Sequence, residues 1–183
     1  MKHIFTVIVV CLFLNACAAG NVHEYAVPKD PQNYVLGVGD TVNINVFQQE
    51  NLSGEFKIGA DGTIAFPLIK EIRASGLTTK ELEGSISARL RPNYVVDPRV
   101  SVYVANYRDI YVLGEVRSPG KFEYSPNITI LQAVAMAGGH TYRAKENTAE
   151  IMRHAEGALQ TLTVDSKTVI RPGDTVIIKR RWF

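Results

Sequence analysis

The sequence predicts an α+β protein built as two small mixed-sheet domains in tandem, the second of the β-grasp kind. Three observations predict it. Strand-type alternation recurs in two blocks, each block holds one helix opened by a capping box, and a Gly-Asp-Thr-Val turn sequence occurs once in each block. Of the 183 residues, 46% are hydrophobic and 21% charged, the balance of a folded chain rather than a disordered tail or a polytopic membrane protein. Twenty Lys and Arg against 18 Asp and Glu leave a formal charge of +2, too small an excess for a dedicated nucleic-acid binder, so no nucleic acid is expected as a partner.

The amino terminus carries an address. After Met1-Lys2-His3, residues 4–14 form an apolar run broken only by Thr6. A bilayer core asks for about 20 helical residues, so this run suits the hydrophobic region of an export signal better than a membrane span. The following Leu14-Asn15-Ala16-Cys17 resembles the lipobox of bacterial lipoprotein signals. That resemblance implies cleavage between Ala16 and Cys17 and lipidation of Cys17, with Ala18 favouring the outer membrane; residues 1–16 are then the signal peptide. Cys11 and Cys17 are the two cysteines of the chain, so no disulfide framework is expected after cleavage. Residues 17–32 are mostly polar, include Pro28 and Pro31 and lack periodicity, as a tether does. Several buried acyl chains hold a protein on its membrane almost permanently, whereas one does not.

The first domain is expected over residues 33–107. Val42, Ile44 and Val46 alternate with Asn43 and Asn45 as a half-buried strand, and Asp61-Gly62 is expected to close a hairpin between strands bearing Phe56 and Ile58 on one side and Ile64 and Phe66 on the other. Thr78 and Glu81 form a capping box, Leu77 can staple onto Leu82, and Leu82, Ile86 and Leu90 give one apolar face until Pro92 stops the helix. Val100, Val102 and Val104 alternate as the closing strand.

The second domain is expected over residues 108–183. It opens on a strand at residues 110–113 and turns through Ser118-Pro119-Gly120. Thr129 and Gln132 cap a short helix over Leu131 and Val134, which Gly138-Gly139 ends. Strands follow at residues 150–153, 159–164 and 175–179. Gly39-Asp40-Thr41-Val42 and Gly173-Asp174-Thr175-Val176 echo each other as repeated turn chemistry. Domains this small bury little more than 60% of their unfolded surface, and docking on one another or on sister subunits would help them.

No H-E-x-x-H, C-x-x-C, G-x-S-x-G or EF-hand spacing is present, so no catalytic residue, metal or cofactor is expected and the chain is not expected to be an enzyme. Two features remain. His140, Tyr142 and Arg143 follow the second helix in one loop, where an aromatic ring beside a guanidinium suits contact with a saccharide or a partner and equally suits a solvated helix end. The stretch 179–183 joins three basic residues to Trp182 and Phe183, a composition for lipid head groups, a partner or a plain basic sheet edge.

Taken in order, the lipobox Cys17, Tyr34-x-Leu36-Gly37-x-Gly39-Asp40, Asp61-Gly62-Thr63-Ile64 with Pro67-Leu68, and the helix over 78–90 resemble the polysaccharide export domain. Val112-Leu113-Gly114-Glu115-Val116, Pro119-Gly120, Ala137-Gly138-Gly139 and Pro172-Gly173-Asp174-Thr175-Val176 resemble a soluble-ligand-binding β-grasp (SLBB) domain. The resemblance is to Wza-like outer-membrane polysaccharide export lipoproteins. It implies a periplasmic subunit, lipid-anchored in the outer membrane, that forms a homo-oligomeric ring and passes capsule or exopolysaccharide cargo. An inner-membrane polysaccharide co-polymerase is the implied partner. With nine residues after Asp174 and no amphipathic helix there, a short member relying on a separate outer-membrane β-barrel is expected. The competing expectation is a monomeric periplasmic lipoprotein that binds saccharide or cell wall.

Overall fold

Alternation becomes burial in the first strand, β1 (Thr41–Val46), where Val42, Ile44 and Val46 are buried and Asn45 is exposed. The computed structural model describes residues 34–91, 93–155 and 158–182; the signal peptide, Ala16, Cys17, the tether, Pro92 and Phe183 lie outside the described residues. β1 is the centre of a three-stranded antiparallel sheet, flanked by β2 (Gly54–Lys57) and β5 (Val100–Asn106). β3 (Thr63–Phe66) and β4 (Lys70–Arg73) form a separate antiparallel hairpin.

This corrects the expected hairpin at Asp61-Gly62. The turn forms, with Thr63 N–H and hydroxyl both donating to the Asp61 carboxylate at 3.0 and 2.7 Å. It joins two different sheets, however, because β2 pairs with β1 and β3 pairs with β4. Turn chemistry specifies a local reversal, while the choice of strand partner follows from which faces the core can bury. Among the described residues the strand pairings of the first unit are antiparallel, and the sheet of the second unit combines parallel and antiparallel pairs.

The helix α1 (Thr79–Leu90) starts where the capping box places it: the Thr78 hydroxyl accepts from Glu81 N–H at 3.3 Å and Glu81 Oε2 accepts from Thr78 N–H at 2.8 Å. Leu82, Ile86 and Leu90 are fully buried against Leu36, Ile44, Ile64 and Ile72, so truncating one of them to Ala costs about 2–5 kcal/mol.

The second core lies under a five-stranded mixed sheet. β6 (Ile110–Gly114), β7 (Gly120–Phe122), β8 (Thr148–Ala155), β9 (Ala158–Asp165) and β10 (Thr175–Ile178) take the spatial order β7-β6-β10-β8-β9. β10 runs parallel to β6, and the other pairs are antiparallel. The helix α2 (Ile130–Met136) is capped by Thr129 and Gln132 and buries Ile130, Ala133 and Val134. Leu131, expected beneath it, is 53% exposed, because Ile130 holds the position one turn before Ala133 and Val134. Together the two helices and the antiparallel and mixed sheets make the predicted α+β class, and the second unit, one helix on a mixed five-stranded sheet, has the β-grasp form.

Candidate functional site

Asp40 and Asp174 hold the same position in the two echoed turns, and both are fully buried. Each carboxylate accepts from the backbone N–H three residues earlier, Gly37 at 2.8 Å and Arg171 at 2.7 Å, which fixes the turn before the strand departs. From there they differ. Asp174 is gripped inside its own unit by Arg153, whose Nε and Nη2 donate to the two oxygens at 2.7 and 2.5 Å in a bidentate pair. Asp40 looks outward from the first core: Tyr34 hydroxyl donates at 2.7 Å, Arg108 N–H at 2.8 Å, and Arg108 Nη1 stands 3.4 Å away.

Arg108 follows β5 and joins the two turns, since its Nε donates to the carbonyl of Pro172 at 3.0 Å. The guanidinium fits there because both turns present glycine. A Cβ on Gly37 would fall 1.6 Å from Arg108 Nη1, and one on Gly173 would fall 2.7 Å from Nε. Beside this clasp, the rings of Tyr34, Tyr107 and Tyr124 meet edge to face at centroid distances of 5.0 and 5.4 Å. Burial, aided by the nearby Asp40 carboxylate, pushes the Tyr34 phenol far above its ordinary value, and burial raises Tyr107 and Tyr124 as well.

β6 and β10 both leave this clasp in parallel, and the segments that follow them meet at the other end of the sheet. There the Tyr142 loop and the basic stretch, separate features in the sequence, become one surface. Arg181 N–H donates to Arg143 carbonyl at 2.8 Å, Lys145 N–H donates to Lys179 carbonyl at 2.8 Å, and Ala144 bridges to Arg180. On the other side Thr141 N–H donates to Glu115 carbonyl at 3.1 Å, its hydroxyl donates to the Glu115 carboxylate at 2.5 Å, and Arg117 N–H donates to Gly139 carbonyl at 3.0 Å. His140 is half-buried in this stitching, opposite Val116. Tyr142 is 73% exposed, and Arg143 stacks on it, with Nε donating to its hydroxyl at 2.7 Å and the guanidinium carbon 5.1 Å from the ring centre. Trp182, which follows Arg181 in the chain, is 98% exposed. Lys179 is ion-paired with Glu150.

Sequence reasoning placed Tyr142 and Arg143 and missed Arg117 and Lys145, which join the rim only through the backbone bonds of neighbouring segments. Arg108 and Arg153 carried no sequence signal, although the echoed Asp residues they serve did. Among the described residues, no group of three or more His, Cys, Asp or Glu side chains is placed to hold a metal ion, and no helix is long and apolar enough to cross a membrane. A groove of about 390 Å³ lined by Ser125, Pro126, Asn127, Ile128, Gln132 and Met136 carries no titratable side chain.

Fold and site define a tandem-domain protein, one α+β unit clasped to a β-grasp unit, with a cationic aromatic rim on the second. The polysaccharide biosynthesis/export protein family matches residues 28–105, and the SLBB domain family matches residues 110–161. Over 118 residues the chain is 33% identical to the exopolysaccharide production protein ExoF of Rhizobium meliloti, covering 58% of this chain and 28% of that protein. Over 109 residues it is 23% identical to the polysialic acid transport protein KpsD of Escherichia coli, covering 58% of this chain and 20% of that one. The matched stretches thus span less than a third of each relative. In their tandem order, the two domains fit a member of the Wza-like polysaccharide export family.

Proposed function

We propose that the chain is a periplasmic subunit of a capsule or exopolysaccharide export channel, anchored in the outer membrane by lipid on Cys17 and assembled with further copies into a collar around the polymer's path. The observation that carries this is the export domain fastened to an SLBB domain through Arg108, in a chain whose relatives are named for exopolysaccharide production and polysialic acid transport. Its role is passive. A conduit must hold its cargo weakly enough to release it, and energy comes from other components, with an inner-membrane co-polymerase and a separate outer-membrane β-barrel as partners. The chain catalyses no reaction of its own.

Association of copies has support in the sheet edges. β7 is a three-residue edge that follows Pro119 and carries Lys121. β5 is covered by α1, and the Glu83 carboxylate accepts from Val102 N–H at 2.8 Å. β2 has four residues and bears Glu55 and Lys57. β9 differs: it runs eight residues in unbroken register with β8, without Pro, Lys or Arg, and has no further strand beside it among the described residues. Such an edge is a template for a strand of a second copy.

Deleting the chain in its host should abolish surface polysaccharide, and the intact chain should restore it. Mass photometry of the detergent-extracted lipoprotein should show a defined oligomer that Thr161→Lys with Thr163→Lys shifts toward monomer; monomer alone for the unaltered protein at every micromolar concentration would sink the collar. Cys17→Ser should move the protein from membrane to soluble fraction, and continued membrane retention would sink the lipid anchor. A monomeric saccharide-binding lipoprotein is the second reading, favoured by the exposed Tyr142–Arg143 stack, and the same mass measurement separates the two.

A further inference from the structure

We propose that the rim formed by Arg117, Tyr142, Arg143, Lys145, Arg180 and Trp182 is a binding site for carboxylate-bearing saccharide units, so that the polymer handled by this chain is an acidic one. The proposal rests on the export reading above and adds the chemical class of the cargo.

Charge distribution is the first argument. The segments 115–117, 140–146 and 179–181, with Glu150, hold six Lys and Arg against three Glu, a local excess of three that exceeds the formal +2 of the whole chain. A nearly neutral composition therefore conceals one cationic end. Of the three acids, Glu150 is ion-paired with Lys179 and Glu115 accepts the Thr141 hydroxyl, so two of them face partners inside the rim. An anionic ligand meets a positive local field, whereas a neutral sugar gains nothing from it.

Preorganisation is the second argument. Arg143 is not a free-swinging surface side chain: the Tyr142 ring and hydroxyl fix its guanidinium, and the bond from Arg181 N–H to its carbonyl fixes its backbone. Nε is used by Tyr142, which leaves the Nη side of the fork for the two oxygens of a carboxylate. The exposed faces of Tyr142 and Trp182 offer apolar planes for the axial C–H face of a pyranose ring. Phosphates of a lipid surface share the negative charge. The planar fork held on the Tyr142 ring suits a carboxylate on a sugar ring better, and that source is the one we adopt.

The test uses the full-length lipoprotein in neutral detergent, titrated by isothermal calorimetry with a galacturonic acid hexamer, with maltohexaose as the neutral counterpart and phosphatidylglycerol vesicles as the lipid arm. The acidic hexamer should bind and maltohexaose should not. Binding should weaken several-fold when salt rises from about 50 mM to about 300 mM. Arg143→Gln with Arg180→Gln should raise Kd about tenfold, as loss of two exposed ionic contacts allows. Lys57→Gln with Arg73→Gln, which removes the same charge from the first unit, should leave Kd unchanged.

Equal binding of both hexamers, no binding of either, or equal losses in the two double variants would overturn the site. So would vesicle binding lost in the rim variant without any hexamer binding, which would mark a membrane contact instead. Restoration of surface polysaccharide in the deletion strain is read separately. A chain that restores export yet ignores the acidic hexamer refutes the rim alone, and one that binds it yet is dispensable for export refutes the export reading alone.

Discussion

The turns at Asp40 and Asp174 are the same piece of local chemistry put to two uses. Each carboxylate ties the N–H three residues earlier, and each launches a central strand. Asp174 then spends its remaining acceptors on Arg153, whose side chain is 10% exposed, and so closes the second core on itself. Asp40 turns to Arg108, 32% exposed, and to Tyr34, and so closes one unit against the other. A buried carboxylate must find donors wherever it sits, and the supplier of the donors decides whether the turn stabilises a domain or a junction.

The largest effect expected is from Asp174→Ala. It strips the bidentate partner from a buried guanidinium, which typically costs 3–5 kcal/mol; Arg153 has further contacts, so about 3 kcal/mol is expected. Urea unfolding should show that loss in the second unit, and a loss under about 1 kcal/mol would mean the pair is not what holds that core shut.

Asp40→Ala should cost about 2 kcal/mol, less because Arg108 is partly solvated, and its distinctive result is uncoupling. The two units should unfold in separate transitions where the unaltered chain shows closer coupling, with faster proteolysis after Arg108. If both transitions stay coincident, the clasp does not couple the units.

Tyr34→Phe should cost about 1 kcal/mol near neutral pH, the worth of its hydrogen bond to Asp40. It also carries a pH signature. The folded phenol titrates above its unfolded value near pH 10, so folding favours the protonated form; that contribution is whole below pH 10 and disappears as pH rises toward the folded value. Urea unfolding at about pH 9 and pH 11 should therefore show a steeper decline for the unaltered chain than for the Phe variant. Equal declines would place the phenol in solvent.

The smallest effect concerns the two helices. Thr129→Ala removes the cap of α2 and should cost up to about 1 kcal/mol in the second unit, leaving the first unchanged; Thr78→Ala should do the reverse by a similar amount. Unit-resolved hydrogen exchange checks both, and a loss that spreads evenly across the units would contradict the assignment of each cap to one core.

The capping boxes at Thr78 and Thr129 were legible in the sequence because a cap is a contract among four consecutive residues. So were the strands around Val42, Val102 and Val176, where alternation records which face is buried. The partner of β3 was not legible: Asp61-Gly62 declares a reversal, and its flanking apolar residues fit a hairpin between β2 and β3 as well as the observed handover to β4. Tyr142 and Arg143 could be picked out by type, but Arg117 and Lys145 belong to the same rim only because β6 and β10 run parallel and end side by side.

By itself the sequence determined the α+β class, the helix starts and the repeated Gly-Asp turn, all set by steric and hydrogen-bonding rules that act within a few residues. Tertiary structure alone decided that Asp40 would hold Arg108 across a junction, that Asp174 would hold Arg153 within a core, and that a chain of almost balanced charge would carry a local cationic excess where the segments after β6 and β10 meet. Long-range pairing chooses neighbours among residues far apart in sequence, and charge or burial at a point in space is a property of those neighbours rather than of composition.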